Sequence, residues 1–337
     1  MDFWILEFGG GNHMQAMVVN HWSEPGDLQL AEFPDPAPGP GQVTINVRAI
    51  GCNFFDILMI QGKYQIRPPF PFSPGSEVAG EVREVGPGVQ AFSAGDRVFA
   101  MLGWGGFATV AVAPAAMVAR MPPSMSFDHG AAFGIVYQTS YFGLVYRASL
   151  QPGENLLVTG AAGGVGLAAV QIGRALGARV IAAAGSEKKL EAAKANGAQE
   201  AFNYRNPDWI EQVKEATSGR GADVIYDSVG GDVFEQCAKC IAFEGRLLVV
   251  GFTSGRIPSI QANRILLKNI SVVGLHWGAY RERDPARIAR AMQTLFEMYE
   301  KCQVHPVISS IHPLTDAAAA LQEIASRRSI GKVLLRP

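Results

Sequence analysis

Apolar and polar positions along the chain follow two rhythms that change near residue 155. In the first part, VTINVRAIG (43 to 51) and VAGEVREVG (78 to 86) alternate branched apolar residues with polar ones, and proline and glycine punctuate the runs. A period of two marks strands with one face buried, so the stretch from Gln15 to about Ser124 predicts a partly barrel-like β domain. From about Asn155 the pattern becomes strand, glycine turn, helix, repeated. NLLVTG (155 to 160) is a continuous apolar strand, and after the GGVG turn Val165, Ala169, Ile172 and Leu176 recur at helical spacing until Gly177 stops the helix. ARVIAAAG (178 to 185) is the next buried strand, and a helix runs from about Glu187 to Gly197. Asn206 and Pro207 open another helix, while DVIYD (223 to 227), RLLVV (246 to 250) and SVVG (271 to 274) supply further strands. Alternating strands and helices predict a parallel, doubly wound sheet, an α/β fold. A helix from Pro285 to about Cys302, another near Thr315 and the terminal GKVLLRP strand add too little for a third core. They are expected to return and complete the first domain, leaving a cleft between two lobes.

Composition narrows the class. At 337 residues, with 48% hydrophobic and 18% charged residues, the chain is long enough for two cores and too apolar for intrinsic disorder. Lysine plus arginine (29) nearly equals aspartate plus glutamate (30), so no long-range positive field for general nucleic-acid binding exists. Cys52, Cys237, Cys240 and Cys302 are too few and too scattered for a disulfide framework, which suits a reducing cytoplasm. The longest greasy stretch, Ala131 to Val145, is interrupted by Gln138, Thr139 and Ser140 and falls short of the roughly 20 apolar residues of a membrane helix. The opening MDFWILEFGGGNHM lacks the basic start and cleavage site of a signal peptide, and residues 1–13 read as a cloning linker ahead of Met14.

VTGAAGGVG (158 to 166), between a strand and a helix, is the strongest chemical signal. As a GxGxxG variant it places Ala161 first, Gly163 second and Gly166 third, with Gly164 and Val165 between. Gly163 would let the backbone approach a pyrophosphate, Gly166 would let the helix lie close on the sheet, and the helix N-terminus offers N–H groups to the anion. The next strand would end in Asp or Glu if it held an unphosphorylated ribose. Here it ends in Gly185, followed by Ser186, Glu187, Lys188 and Lys189. Ser186 and Lys189 would hold a 2′-phosphate that a carboxylate would repel, so the pattern favours NADPH over NADH.

The ordered strings AIGCNFFDILMIQGKY (49 to 64), PGSEVAGEVREVG (74 to 86), FSAGDRV (92 to 98), AAGGVG (161 to 166), GRGADVIYDSVGG (219 to 231), LLKN (266 to 269) and GKVLL (331 to 335) carry a likeness over nearly the whole chain from Met14. The chain resembles the zinc-independent NADPH:quinone oxidoreductases, the zeta-crystallin-like family of the medium-chain dehydrogenase/reductase superfamily. The resemblance implies a GroES-like catalytic domain (14–135), an NADPH-binding Rossmann domain (136–276) and a return to the catalytic domain (277–337). Zinc-dependent relatives carry a cysteine ligand where this chain has Asn53 and a histidine ligand where it has Ser76. Cys52 is one residue off and would point to the opposite strand face, as packing. AMLGWGGFATV (100 to 110) holds no cysteine for a structural zinc, and Cys237 and Cys240 read as packing on a helix face. No metal is expected. Alcohol oxidation uses zinc as a Lewis acid, so a site without it suits acceptors that are already electron-poor.

By the same likeness Asn53 and Tyr64 line the nicotinamide and substrate pocket, Asn53 as a hydrogen-bond donor, and Asp56 is an orienting acid. Leu58 and Ile60 replace a tyrosine and an arginine and make the pocket more apolar. Thr139 matches a threonine that approaches the nicotinamide carboxamide; the alternative is a hydroxyl bonded to its own helix. Tyr204, with Arg205 beside it, matches the residue at the adenosine phosphate. Gly230, Gly251 and Phe252 follow strands at the carboxyl edge, where doubly wound sheets bind ligands. Lys332 reaches the cofactor in this likeness, the alternative being a solvated strand lysine.

The leading expectation is an NADPH-dependent reductase of quinones or quinone-like acceptors, as a cytoplasmic homodimer with a small-molecule quinone or enone substrate. An enoyl or 2-alkenal reductase shares the fold and also lacks zinc. From another class comes an NADPH-binding structural protein or an RNA-binding moonlighter, a reading to which the neutral charge gives no support.

Overall fold

The structure, a computed structural model, describes residues 13–337. The linker expected at the start lies outside the described residues except for His13, which opens the strand His13–Val18. The chain forms two compact units: the residues up to Ile135 with Ile308–Pro337, and Val136–Val307.

In the first unit the described residues build a seven-stranded sheet around Gln42–Cys52, which pairs antiparallel with Glu77–Val85, with Val110–Pro114 and with the terminal Lys332–Arg336. Exposed Asn46 and Arg48 alternate with buried Ile45 and Val47 on this strand, but from Ala49 to Cys52 every residue is buried. There the terminal strand lies alongside, and the helix Phe127–Ala131 packs so near that a side chain on Gly51 would collide with the Ala131 carbonyl. The strand therefore ends in a dry region, and the helix Phe54–Ile60 starts there.

The second unit is a six-stranded parallel sheet in the order Glu200–Asn203, Arg179–Ala184, Asn155–Thr159, Ala222–Asp227, Ile241–Val249, Ser271–Gly274. The chain runs outward from Asn155–Thr159 to one edge, then returns to its other side. That reversal is the topological switch point at which doubly wound sheets bind ligands.

Two expectations change. The segment expected to return as 277–337 divides, because residues up to Val307 stay with the second unit. Gln138 Nε2 donates to the Ile288 carbonyl at 2.9 Å, and Gln171 exchanges bonds with the His305 backbone at 2.9 and 3.0 Å. The helix Pro285–Glu300 is thereby held by its own unit. Cys237 and Cys240 do not share a helix face: the helix Gly231–Cys237 stops at the first, and Cys240 lies in the turn before the strand that opens at Ile241. The greasy stretch 131 to 145 becomes the helix Gly134–Tyr141 and a π-helical segment Phe142–Arg147, and among the described residues no helix is long and apolar enough to cross a membrane.

Candidate functional site

The glycine turn has the expected form. Asn155–Thr159 ends at Gly160, whose φ of 61° suits glycine, and the helix Gly164–Ala175 begins after Gly163 without a side-chain cap. Its first N–H groups, from Gly164, Val165 and Gly166, thus lack a capping side chain. A Cβ on Gly166 would meet the Gly160 carbonyl and lie 2.8 Å from Ala161 Cα, so close helix–strand packing needs glycine there. Gly163 differs: a Cβ would meet only the Gly160 carbonyl, at 3.4 Å, an ordinary contact. Its lack of a side chain answers no internal crowding and leaves open backbone beside the helix N-terminus. Ala161 is buried and fills the first motif position.

Gly185, Ser186, Lys189, Tyr204, Gly230, Gly251 and Phe252, expected at the nucleotide, lie at the same carboxyl edge. Gly185 follows Arg179–Ala184, and a methyl group on it would lie 3.2 Å from the Tyr204 hydroxyl and 3.2 Å from Arg205 Nε. Ser186 is exposed at the start of the helix Glu187–Ala195, and Lys189 is half-buried one turn on. The sequence reading set Arg205 beside Tyr204 without a role; the fold sets its guanidinium at the strand end. Gly230 has a φ of 72°, and a Cβ there would stand 2.9 Å from the Phe252 ring. Gly251 comes just before Phe252, after the strand Ile241–Val249.

Asp227 escaped the sequence reading. It is buried at the end of Ala222–Asp227, accepts from Thr159 Oγ1 at 2.5 Å and from the Gly230 N–H at 2.8 Å, and so ties two strand ends to the Gly230 turn. Burial raises its carboxyl above the usual range, against the pull of these hydrogen bonds. Ser140 was missed as well. Its hydroxyl donates to the Val165 carbonyl at 2.8 Å and meets the Tyr226 hydroxyl at 3.0 Å, which ties its helix to the glycine turn; the neighbouring Thr139 is half-exposed. A polar residue on an apolar helix was the available signal, but its partners lie in distant segments.

In the first unit a buried polar cluster surrounds Asn53. This residue caps the helix Phe54–Ile60 in a box with Asp56, whose Oδ2 accepts the Asn53 N–H at 2.7 Å. Asp56 Oδ1 accepts from the Ser76 hydroxyl at 3.2 Å. Burial pushes the Asp56 carboxyl up to about 7, opposed by the Asn53 N–H and the Lys332 charge. Lys332 Nζ donates to the Cys52 carbonyl (2.8 Å), Asn53 Oδ1 (2.7 Å) and Glu77 Oε1 (2.5 Å).

Two expectations give way here. Lys332 is neither solvated nor reaching for a cofactor, since all three ammonium hydrogens have acceptors within its own unit. Asn53 does not offer its amide outward, because an ammonium can only donate and so fixes the amide oxygen toward Lys332. Its Nδ2 then donates to Glu77 Oε1 at 3.0 Å and to the Gly51 carbonyl at 3.3 Å. Tyr64 stacks on Phe55, ring centroids 5.2 Å apart, beyond the end of the same helix. Leu58 is half-buried and Ile60 buried. Cys52 lies in the core, and burial raises its thiol pKa.

Zinc does not fit this donor set. The positions that would ligate it carry an amide and a hydroxyl, both engaged, and a buried ammonium already bonds to the amide oxygen. Among the described residues no group of three or more His, Cys, Asp or Glu side chains could hold a metal. Burial pushes the Cys240 thiol up to about 12 and raises Cys237 as well, so neither is a ready thiolate ligand.

Comparison with known proteins agrees with this architecture. Residues 39–123 match the alcohol dehydrogenase GroES-like domain, and residues 164–297 match the family described as zinc-binding dehydrogenase. The quinone oxidoreductase-like protein 2 homolog of Nematostella vectensis is 42% identical, covering 97% of this chain and 90% of its own. Human quinone oxidoreductase is 34% identical over 97% of this chain and 98% of its own. The crystal structure of Escherichia coli quinone oxidoreductase complexed with NADPH superimposes with a TM-score of 0.89 at 31% identity, covering 96% of this chain and 100% of that one. With the glycine turn, the strand order and the altered metal positions, these likenesses establish that the chain belongs to the zinc-independent quinone oxidoreductase family of the medium-chain dehydrogenase/reductase superfamily.

Proposed function

We infer that the protein is an NADPH-dependent reductase of quinones and quinone-like electron-poor acceptors. The observation that carries this reading is the uncapped helix N-terminus at Gly164, with Tyr204 and Arg205 standing at the next strand end, where an NAD site would place an acid. The open backbone at Gly163 fits a pyrophosphate, and Arg205, Lys189 and Ser186 fit a 2′-phosphate, Arg205 through a planar guanidinium suited to phosphate oxygens. The E. coli relative bound to NADPH supports the same cofactor.

When bound, NADPH supplies a hydride from C4 of its nicotinamide. The chain's own part is to hold phosphates and ribose at the switch point, to present Thr139 from the helix that Ser140 ties to the glycine turn, and to offer the acceptor an apolar surface from Leu58 and Tyr64. Because the Asn53 and Ser76 positions suit no Lewis acid, the acceptor must delocalise the incoming charge onto its own oxygen, as quinones do. Alignment of donor and acceptor then supplies most of the acceleration.

A homodimer belongs to the same reading. The edge strand Ser271–Gly274 is flanked in sequence by Leu266 and Leu267, 72% and 73% exposed, an apolar surface that a second copy would cover. Four free thiols, three of them buried, suit a reducing cytoplasm.

The test is NADPH consumption by the purified protein with benzoquinone, crotonyl-CoA and a 2-alkenal in parallel. The reading expects the quinone to give the highest kcat/KM. A higher value with either enone would move the assignment to alkene reduction, and silence with all three despite tight NADPH binding would make it a binding protein.

A further inference from the structure

Lys332 is 4% exposed and Glu77 fully buried, and together they join three segments that lie far apart in the chain. Lys332 comes from the terminal strand, Glu77 from Glu77–Val85, and Asn53 from the junction between Gln42–Cys52 and the helix Phe54–Ile60. Glu77 has both oxygens engaged: Oε1 takes Lys332 and Asn53 Nδ2, and Oε2 takes the Ile135 N–H at 2.9 Å. A buried ion pair is poor evidence of stabilisation, because apolar side chains of similar volume often serve as well or better. What this pair does uniquely is geometric. It admits one orientation of the Asn53 amide, and Asn53 caps the helix that leads to Tyr64.

We propose that Lys332 and Glu77 are positioning residues of the reductase, fixing Asn53 and, through it, the helix Phe54–Ile60 and the Tyr64 that follows. The ion pair acts as an internal clasp at the position where metal-dependent relatives place a ligand, and it contributes alignment without touching cofactor or acceptor. This inference rests on the reductase reading above.

The test uses the full chain and the double variant Lys332→Gln/Glu77→Gln, which removes both charges together and so leaves no unpaired buried ion. Circular dichroism and NADPH fluorescence titration come first; the NADPH Kd is expected to change by less than about threefold, since the nucleotide residues belong to the other unit. With benzoquinone, kcat is expected to fall about ten- to hundredfold, as for a displaced reacting group. Adding Asn53→Ser to the double variant should then cost less than about twofold more, because residues acting through one another are not additive. Asn53→Ser alone leaves the ion pair in place and should reproduce most of the kcat loss, which keeps the question decidable if the double variant does not fold. Unchanged kcat in Asn53→Ser or in the folded double variant, or fully additive losses, would overturn the inference. No quinone turnover by the unaltered protein is a different result, which overturns the functional reading and the inference with it.

Discussion

Replacing Asp56 by asparagine should stabilise the protein more at pH 8 than at pH 5. Asp56 is fully buried, and burial raises its carboxyl from 3.8 to about 7. Between those values the folded protein keeps the proton while the unfolded chain has lost it. The unfolded state then binds fewer protons, so stability falls as pH rises through this window and levels off above about 7. A rise of that size corresponds to about 4 kcal/mol in all, of which about 2 to 3 kcal/mol falls between pH 5 and 8. Asparagine does not titrate. It keeps an oxygen for the Asn53 N–H and turns its amide toward the Ser76 hydroxyl, which can accept. Other titrating groups largely cancel when variant and parent are compared at each pH. The assay is urea unfolding followed by tryptophan fluorescence and far-UV circular dichroism together, which separates the two units if they unfold apart. The variant's advantage over the parent should grow by about 2 to 3 kcal/mol from pH 5 to pH 8. A difference constant to within about 0.5 kcal/mol would show that Asp56 ionises in the folded state as readily as in water, and would refute the reasoning.

Arg205→Ala should raise the NADPH KM about ten- to hundredfold, the worth of one charge-assisted hydrogen bond, with the NADH KM nearly unchanged. Lys189→Ala should likewise raise the NADPH KM more than the NADH one, and equal changes for both cofactors in steady-state assays would remove these residues from the phosphate site. Gly166→Ala should cost about 1 to 3 kcal/mol by overpacking the helix against Gly160 and Ala161, and should weaken NADPH binding, the two read by urea unfolding and by titration. Lys332→Met alone should cost about 3 to 5 kcal/mol, because it strands the Glu77 charge in the interior, and adding Glu77→Gln should recover much of that in the same urea assay. Leu267→Asp should shift a dimer toward monomer in sedimentation velocity without loss of the folded circular dichroism spectrum.

The sequence by itself determined the elements whose signals are local. Apolar runs bounded by glycine marked the strands at 155–160 and 223–227, and the GGVG turn marked the helix start, because close packing of Gly166 on Gly160 is a matter of a few adjacent residues. The carboxyl edge followed from the strand–helix alternation, so Gly185, Gly230 and Phe252 could be placed from the chain alone, whereas Tyr204 was placed by the family likeness. Only the tertiary structure decided the polar interior. The partners of Lys332 lie some 255 to 280 residues away in the chain, and no local pattern distinguishes a strand lysine in water from one enclosed by Cys52, Asn53 and Glu77. The same holds for Asp56 and Asp227, whose carboxyls are raised by burial, a property of what packs around them. The helix Phe54–Ile60 was legible in principle from the Asn53 and Asp56 capping box, but its run of apolar residues hides the period. Periodicity records which face of an element is buried; whether a buried charge finds its counterpart depends on strands that only folding brings side by side.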